Sequence, residues 1–438
     1  MTTSDLIIIG SGPGGYRAAE HAASLGLTVT IIEESQLGGT CLNCGCIPTK
    51  TLARNAEILD TLAKADTFGL SQLSFTLDFN RVMERKNQVV ETLRNGVATL
   101  LSAPGITVVQ GTGRFTSNRT VMVGDEEYSA TNIIIATGSK PKMLPIPGIA
   151  NKKVVTSTEL LNINEVPRRL CIVGAGVIGM EFASIFNSLG SEVTVVEYLK
   201  ECLPALDSDI AKRLRQSIAK KGVNFIMQAG VQAITDEGVA YERKAKPGVV
   251  EADVILMATG RAPRTEGLCL DAINVATNKS GIITDDDMQT NVKGIYAIGD
   301  VNGRTMLAHA ATYQGLHVVN KIVGREDNIR LDIIPAAVFT HPEAASVGLT
   351  EDSCKAQGIE YKIKKGYYRA NGKALAMDEP DGMVKLIIGS DDKIIGCHLY
   401  GAHSADLVQE VSALMAMDAT ASRLADLVHV HPTLNEIL

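Results

Sequence analysis

Leu6-Ile7-Ile8-Ile9-Gly10-Ser11-Gly12-Pro13-Gly14-Gly15 is the stretch whose reading decides the fold. Four consecutive apolar residues, three of them β-branched, read as a strand. A G-x-G-x-x-G turn follows, then the Ala-rich Tyr16 to Leu25, which reads as a helix, then the β-branched run Val29 to Ile32. Strand, glycine turn, helix and strand make one βαβ unit of a mostly parallel sheet. In such a unit Gly10 permits the tight turn and Gly12 lets a pyrophosphate approach the backbone. Gly15 lets the helix pack closely on the strand. Glu33 closes the second strand 18 residues beyond Gly15, where a carboxylate can bind ribose hydroxyls.

The pattern recurs further on. Cys171-Ile172-Val173 leads into Gly174-Ala175-Gly176-Val177-Ile178-Gly179, a helix to Leu189, the run Val193 to Val196, and Glu197 at the strand end. A carboxylate there repels a 2′-phosphate, which favours NAD(H) over NADP(H). Each copy closes on a similar phrase, Ile134-Ile135-Ala136-Thr137-Gly138 and Leu256-Met257-Ala258-Thr259-Gly260, and the Pro-rich stretch Pro141 to Gly148 is a natural boundary between them. From about Ile334 the texture changes. Alternating segments at Lys385 to Ile388 and Ile394 to Leu399 predict an antiparallel sheet followed by two helices. The expected fold is α/β, with two Rossmann-like dinucleotide-binding domains and a C-terminal α+β domain.

Hydrophobic residues make up 45% and charged residues 21% of 438, the balance of a water-soluble globular protein. The formal charge is −7 and no basic run of five occurs, which argues against nucleic acid as a partner. No apolar run approaches the ~18 residues of a membrane span. The first strand begins almost at Met1, so no targeting segment is expected and the expected location is cytoplasmic.

Five of the eight cysteines (Cys171, Cys202, Cys269, Cys354, Cys397) are isolated and read as small buried apolar residues. The other three fall in Cys41-Leu42-Asn43-Cys44-Gly45-Cys46. A redox disulfide between Cys41 and Cys46 competes with a metal site, a Cys41–Cys44 pair and three inert thiols. No second Cys/His cluster lies nearby, so no metal is expected. In an ideal helix Cys41 and Cys46 would stand ~8–9 Å apart, beyond the ~7 Å limit for a disulfide. Gly45 offers the distortion that would close the gap. A helix is expected to continue from Pro48.

Gly38-Gly39-Thr40-Cys41-Leu42-Asn43, Gly45-Cys46-Ile47-Pro48 and Lys50 together resemble the redox signature of the flavin-dependent pyridine nucleotide–disulfide oxidoreductases. Thr290-Asn291-Val292 and Gly294-Ile295-Tyr296-Ala297-Ile298-Gly299-Asp300 are similar to that family's second flavin-binding motif. Thr340-His341-Pro342-Glu343 and His429-Val430-His431-Pro432-Thr433-Leu434, with Glu436, resemble its dimerisation-domain motifs. The resemblance covers essentially the whole chain. It implies FAD on the first fingerprint and NAD on the second, with segments 1–147 and 268–333 forming the FAD region, 148–267 the NAD domain and 334–438 the dimerisation domain.

It further implies that Cys46 lies next to the flavin and Cys41 exchanges with substrate. His431 would be the base and Glu436 its orienting partner, acting on the dithiol of the other subunit of a homodimer. Asp300 would bind the flavin, Lys50 and Glu181 would pair near it, and His429 would be structural. Glu197 and the wording Pro432-Thr433-Leu434 favour oxidation of dihydrolipoyl groups. The implied partner is a lipoyl-bearing protein of a 2-oxo acid dehydrogenase or glycine cleavage complex. The alternatives are reduction of another low-molecular-weight disulfide and a mainly docking role. Two departures stand out: Cys44 occupies a position where the family usually has Val, and the chain stops two residues after Glu436, which would loosen the His431–Glu436 pair.

Overall fold

Parallel strand pairing dominates the first of two units, formed by Met1–Thr51, Met83–Lys142 and Gly260–Leu331 of the computed structural model, which describes residues 1–438. The strand Thr2–Ile9 lies between Val29–Glu33 and Glu126–Ile135, parallel to both, with Leu6 opposite Val29 on one side and Asn132 on the other. Ile106–Gln110 extends one edge, and Ile295–Ala297 pairs parallel with Glu126–Ile135. Thr120–Val123 and Gly113–Ser117 complete seven strands in antiparallel pairing.

Helices cover the face that carries Leu6 and Ile8, while Ile7 packs on the other face with Phe115, Val121, Leu268 and Ile282, so all three are fully buried and the strand sequence does not alternate. The helix Pro13–Ser24 contributes Ala18, Ala19 and Ala22 to the core shared with Val318 and Val319 of the helix Ala308–Ile322. These two helices touch backbone to backbone. A Cβ on Gly14 would lie 2.9 Å from the Ala311 oxygen, and one on Gly315 would lie 2.9 Å from the Gly14 oxygen.

The second unit comprises Leu52–Val82, Met143–Thr259 and Asp332–Leu438. It repeats the parallel motif in five strands, ordered Asn224–Met227, Glu192–Glu197, Arg169–Val173, Val254–Met257 and Val154–Val155. A three-stranded antiparallel sheet spans Ala229–Ile234, Gly238–Arg243 and Lys246–Glu251. The C-terminal region is the expected α+β arrangement: an antiparallel sheet ordered Ala336–Val338, Glu343–Gly348, Ile394–Gly401, Met383–Gly389 and Tyr361–Tyr367. The helix Ser404–Ala416 packs Leu407, Val408 and Val411 against Leu386, Cys397 and Leu399.

Lys385 sits inside this unit, 1% exposed, with its Nζ 2.8 and 2.9 Å from the two Asp207 carboxylate oxygens and 2.5 Å from Glu351. Asp207 caps the helix Ser208–Lys220 and accepts the Glu351 N–H, so one buried cation compensates carboxylates at two helix starts. Lys385→Ala leaves a fully buried Asp207 charge unpaired and should destabilise the fold by about 3–5 kcal/mol. A lowered urea midpoint with unchanged slope would register that loss; an unchanged midpoint would refute it.

Four of the isolated cysteines (Cys171, Cys202, Cys354, Cys397) are buried as expected. Cys269 is not. It is exposed, in a left-handed conformation (φ 59°) at the entry to the short 3₁₀ turn Leu270–Ile273, where packing does not select the residue. No helix is long and apolar enough to cross a membrane.

Candidate active site

The cysteine cluster is built around a broken helix. Gly39–Cys44 is helical, Gly45 leaves the helix at φ −144°, ψ −109°, and a second helix runs Cys46–Ala63. The break brings the Cα atoms of Cys41 and Cys46 to 4.6 Å, and the two are disulfide-bonded. Gly45 is required by close approach, because a Cβ there would lie 2.9 Å from the Thr40 oxygen and 3.3 Å from the Cys41 Cα. Thr49 spans the break by donating its hydroxyl to the Gly45 carbonyl at 2.6 Å. The second helix starts at Cys46 rather than at Pro48; Pro48 lies in its first turn, where its missing N–H costs nothing.

Cys44 ends the first helix as a half-buried free thiol. Asn43 pins this helix by donating to the carbonyls of Leu37 (3.0 Å) and Gly39 (2.9 Å), and it accepts from Arg94 Nε at 2.9 Å. Arg94 carried no signal in the sequence, because its partner lies 51 residues away. Lys50 follows one turn after Cys46 on the same helix.

Both glycine turns have the same construction. A Cβ on Gly10 (φ +103°) would sit 2.4 Å from the Ala136 oxygen, and one on Gly15 would sit 1.9 Å from the Gly10 oxygen. For Gly174 (φ +104°) and Gly179 the corresponding distances are 2.5 Å to the Ala258 oxygen and 2.0 Å to the Gly174 oxygen. Gly12 and Gly176 differ: nothing lies within 4 Å of a Cβ at either. Each is the N-cap of a 12-residue helix and has no side-chain cap, so helix N–H groups border open space beside a backbone lacking a Cβ. This is what a pyrophosphate needs. Gly138 (φ +70°) and Gly260 (φ +101°) likewise border open space.

The strand-end carboxylates bind the turns themselves. Glu33 accepts from the Ser11 N–H at 2.9 Å, the Ser11 hydroxyl at 2.7 Å and the Ser35 N–H at 2.9 Å. Glu197 accepts from the N–H groups of Ala175 at 2.6 Å and Leu199 at 2.7 Å. Asp300 accepts from the Ser139 hydroxyl and faces Arg261 Nε at 3.8 Å, while Arg261 donates to the Ser139 hydroxyl and carbonyl at 2.6 and 2.7 Å. Ser139 and Arg261 belong to no motif of their own in the sequence, although each directly follows the closing glycine of a repeated phrase, Gly138 or Gly260. Glu181 is buried and accepts the Phe339 N–H at 3.0 Å.

In the C-terminal region His431 Nδ1 is 2.8 Å from Glu436 Oε1, and the other Glu436 oxygen accepts the Thr433 N–H at 2.8 Å. The His431 bond, seconded by Thr433, holds the Glu436 carboxyl below its ordinary range. The pair is therefore formed, despite the expectation that the short end would loosen it. Leu438 is buried in the C-terminal core and its carbonyl accepts from Lys364 at 2.9 Å. His341, from the other dimerisation motif, lies between Asp60 (2.7 Å) and Glu379 (3.3 Å); burial alone would lower it, but the two carboxylates raise it to about 9.

Residues 4–315 match the pyridine nucleotide-disulphide oxidoreductase family, and residues 334–438 match the dimerisation domain of the same family. The chain belongs to this family. It is 40% identical over 440 residues to a dihydrolipoyl dehydrogenase of Chlamydia muridarum, covering 99% of this chain and 95% of the relative. It is 39% identical to a leghemoglobin reductase of Glycine max, covering 99% and 86%. The HOCl-induced flavoprotein disulfide reductase RclA from Escherichia coli superimposes with a TM-score of 0.88 at 31% identity, covering 99% of this chain and 98% of that one. As a family member the chain uses FAD and NAD. Two open, uncapped helix starts, each beside a strand-end carboxylate, fit two dinucleotides. No group of three His, Cys, Asp or Glu side chains is placed to hold a metal.

Proposed function

We propose that this chain is a dihydrolipoyl dehydrogenase, with the Cys41–Cys46 disulfide as the group that takes electrons from a dihydrolipoyl substrate and NAD⁺ as their final acceptor. The observation that carries this reading is the disulfide itself, set at a glycine break next to the first dinucleotide turn. Similarity to dihydrolipoyl dehydrogenases over nearly the whole chain, at 40% identity, supports it.

In this reading the first fingerprint, Gly10, Gly12, Gly15 and Glu33, holds FAD together with Asp300 and Lys50. Gly174, Gly176, Gly179 and Glu197 hold NAD, and Gly138 and Gly260 leave room for the two cofactors. The boundaries 1–147, 148–267, 268–333 and 334–438 divide these roles. Bound FAD supplies two-electron exchange between a dithiol and a nicotinamide, so that the pair returns to a disulfide as NAD⁺ becomes NADH.

The protein groups do the rest. His431 removes a proton from one dihydrolipoyl thiol, and Glu436 stabilises the resulting imidazolium through Nδ1. The thiolate attacks Cys41 Sγ, the Cys41–Cys46 bond breaks, and Cys46 leaves as a thiolate. The second substrate thiol then attacks the mixed disulfide, releasing the lipoyl disulfide and leaving Cys41 and Cys46 reduced. The working form is a homodimer in which His431 and Glu436 of one subunit serve the dithiol of the other. Its partner is the lipoyl-bearing protein of a 2-oxo acid dehydrogenase or glycine cleavage complex, in the cytoplasm.

Steady NADH formation from NAD⁺ and dihydrolipoamide by the FAD-loaded protein tests the proposal. The likeness to RclA, a disulfide reductase by name, favours one second reading: NAD(P)H-dependent reduction of another small disulfide. Faster NADH consumption with such a disulfide than with lipoamide would establish that reading instead. Glu197 sets cofactor choice: Glu197→Arg should lower the NAD⁺/NADP⁺ ratio of kcat/KM by about tenfold or more. An unchanged ratio in steady-state kinetics would defeat this assignment.

A further inference from the structure

The arm leading into His431 has little apolar anchorage of its own: Val428 is 99% exposed, Val430 77%, and the His431 side chain 80%. Leu434, on the arm that follows, is buried in the C-terminal core, but what holds the arm before His431 is polar. Glu410, on the helix Ser404–Ala416, places Oε1 2.7 Å from His429 Nε2 and Oε2 2.5 Å from Asn435 Nδ2. His429 precedes His431 by two residues, and Asn435 precedes Glu436 by one. A single carboxylate thus ties together the two arms of the loop that carries the imidazole and its partner.

The contacts are partly shielded from water, with Glu410 23% and His429 19% exposed, and charge-assisted bonds in such surroundings are strong and directional. The helix beneath is itself fixed, since Leu407, Val408, Val411 and Leu414 are buried in the C-terminal core. Other bonds support the middle of the loop: Asn371 Nδ2 donates to the Thr433 carbonyl at 3.0 Å, and Thr433 N–H donates to Glu436. Neither reaches the His429 arm. Glu410 does, so it transmits the position of the rigid helix to both sides of His431.

We propose that Glu410 is a positioning residue for proton transfer, acting through His431; the inference rests on the reading of His431 as the base. Without the Glu410 carboxylate the imidazole keeps Glu436 but loses its fixed place, and small displacements of a reacting group are costly.

The test is a double-mutant cycle on the FAD-loaded protein. Glu410→Gln should lower kcat with dihydrolipoamide about 10- to 100-fold. NADH turnover with ferricyanide, which needs no thiol proton transfer, should stay within about twofold of the parent, reporting an intact fold. Glu410→Asp, one methylene shorter, keeps the charge but reaches only one arm and should recover part of the loss. In the His431→Gln background, Glu410→Gln should add nothing, because its effect passes through the imidazole. Full kcat in Glu410→Gln, or losses that multiply in the double variant, would overturn the proposal. Full activity in His431→Gln alone would show that the reading of His431 as the base is wrong, and the proposal would fall with it.

Discussion

Cys46→Ser should abolish NADH formation from dihydrolipoamide, with a loss of about 10³-fold or more, and Cys41→Ser should do the same. The size of the effect follows from the chemistry. A serine hydroxyl cannot form a disulfide, so either change removes the redox bond outright rather than weakening it. The half of the reaction that does not use the dithiol should survive. Both variants should still bind FAD and should oxidise NADH with ferricyanide at close to the parental rate, which separates loss of chemistry from loss of fold. Cys44 makes the pair of variants informative. It lies three residues from Cys41 on one helix, where ideal geometry puts the two Cα atoms about 5 Å apart, within disulfide range. Substantial activity in Cys46→Ser would mean that Cys44 had replaced Cys46 as the partner of Cys41, contrary to the pairing in the structure.

His431→Gln should lower dihydrolipoamide turnover by about 10²–10⁴-fold, the usual range for losing a general base. The imidazole is bonded through Nδ1 to a carboxylate held below its ordinary range, so Glu436 remains an anion across neutral pH and keeps Nε2 as the nitrogen available for proton transfer. Parental turnover with dihydrolipoamide in the variant would remove His431 from the mechanism.

Much of this was legible in the sequence because the signals are local. Each G-x-G-x-x-G lies between a strand and a helix, and its three glycines meet three different constraints, all set within one βαβ unit and the strand phrase that packs on it. The Cys41–Cys46 pairing was harder: an unbroken helix forbids it, and only the departure at Gly45, imposed by the crowding of Thr40 and Cys41, brings the two cysteines to 4.6 Å. The polar supports were hidden for a different reason. Arg94 finds Asn43 across 51 residues, Lys385 finds Asp207 across 178, and Glu410 is an unremarked acid on an amphipathic helix until the C-terminal loop folds back on it. No periodicity or spacing encodes such pairs; they exist only once the chain is folded. The exposed Cys269 shows the reverse failure, a residue type usually buried that sits exposed at a left-handed turn.

The central claim is that substrate electrons enter through Cys41 and Cys46, and one measurement reads it at those atoms. No Lys or Arg occurs between Arg17 and Lys50, so trypsin releases all three clustered cysteines on the single peptide 18–50. The FAD-loaded protein is mixed anaerobically with dihydrolipoamide in the absence of NAD⁺, quenched in acid, alkylated, and this peptide is weighed. We expect one alkyl group before mixing, on Cys44, and three afterwards, with the count returning to one when NAD⁺ is supplied. A count that stays at one while dihydrolipoamide is being oxidised would contradict the account.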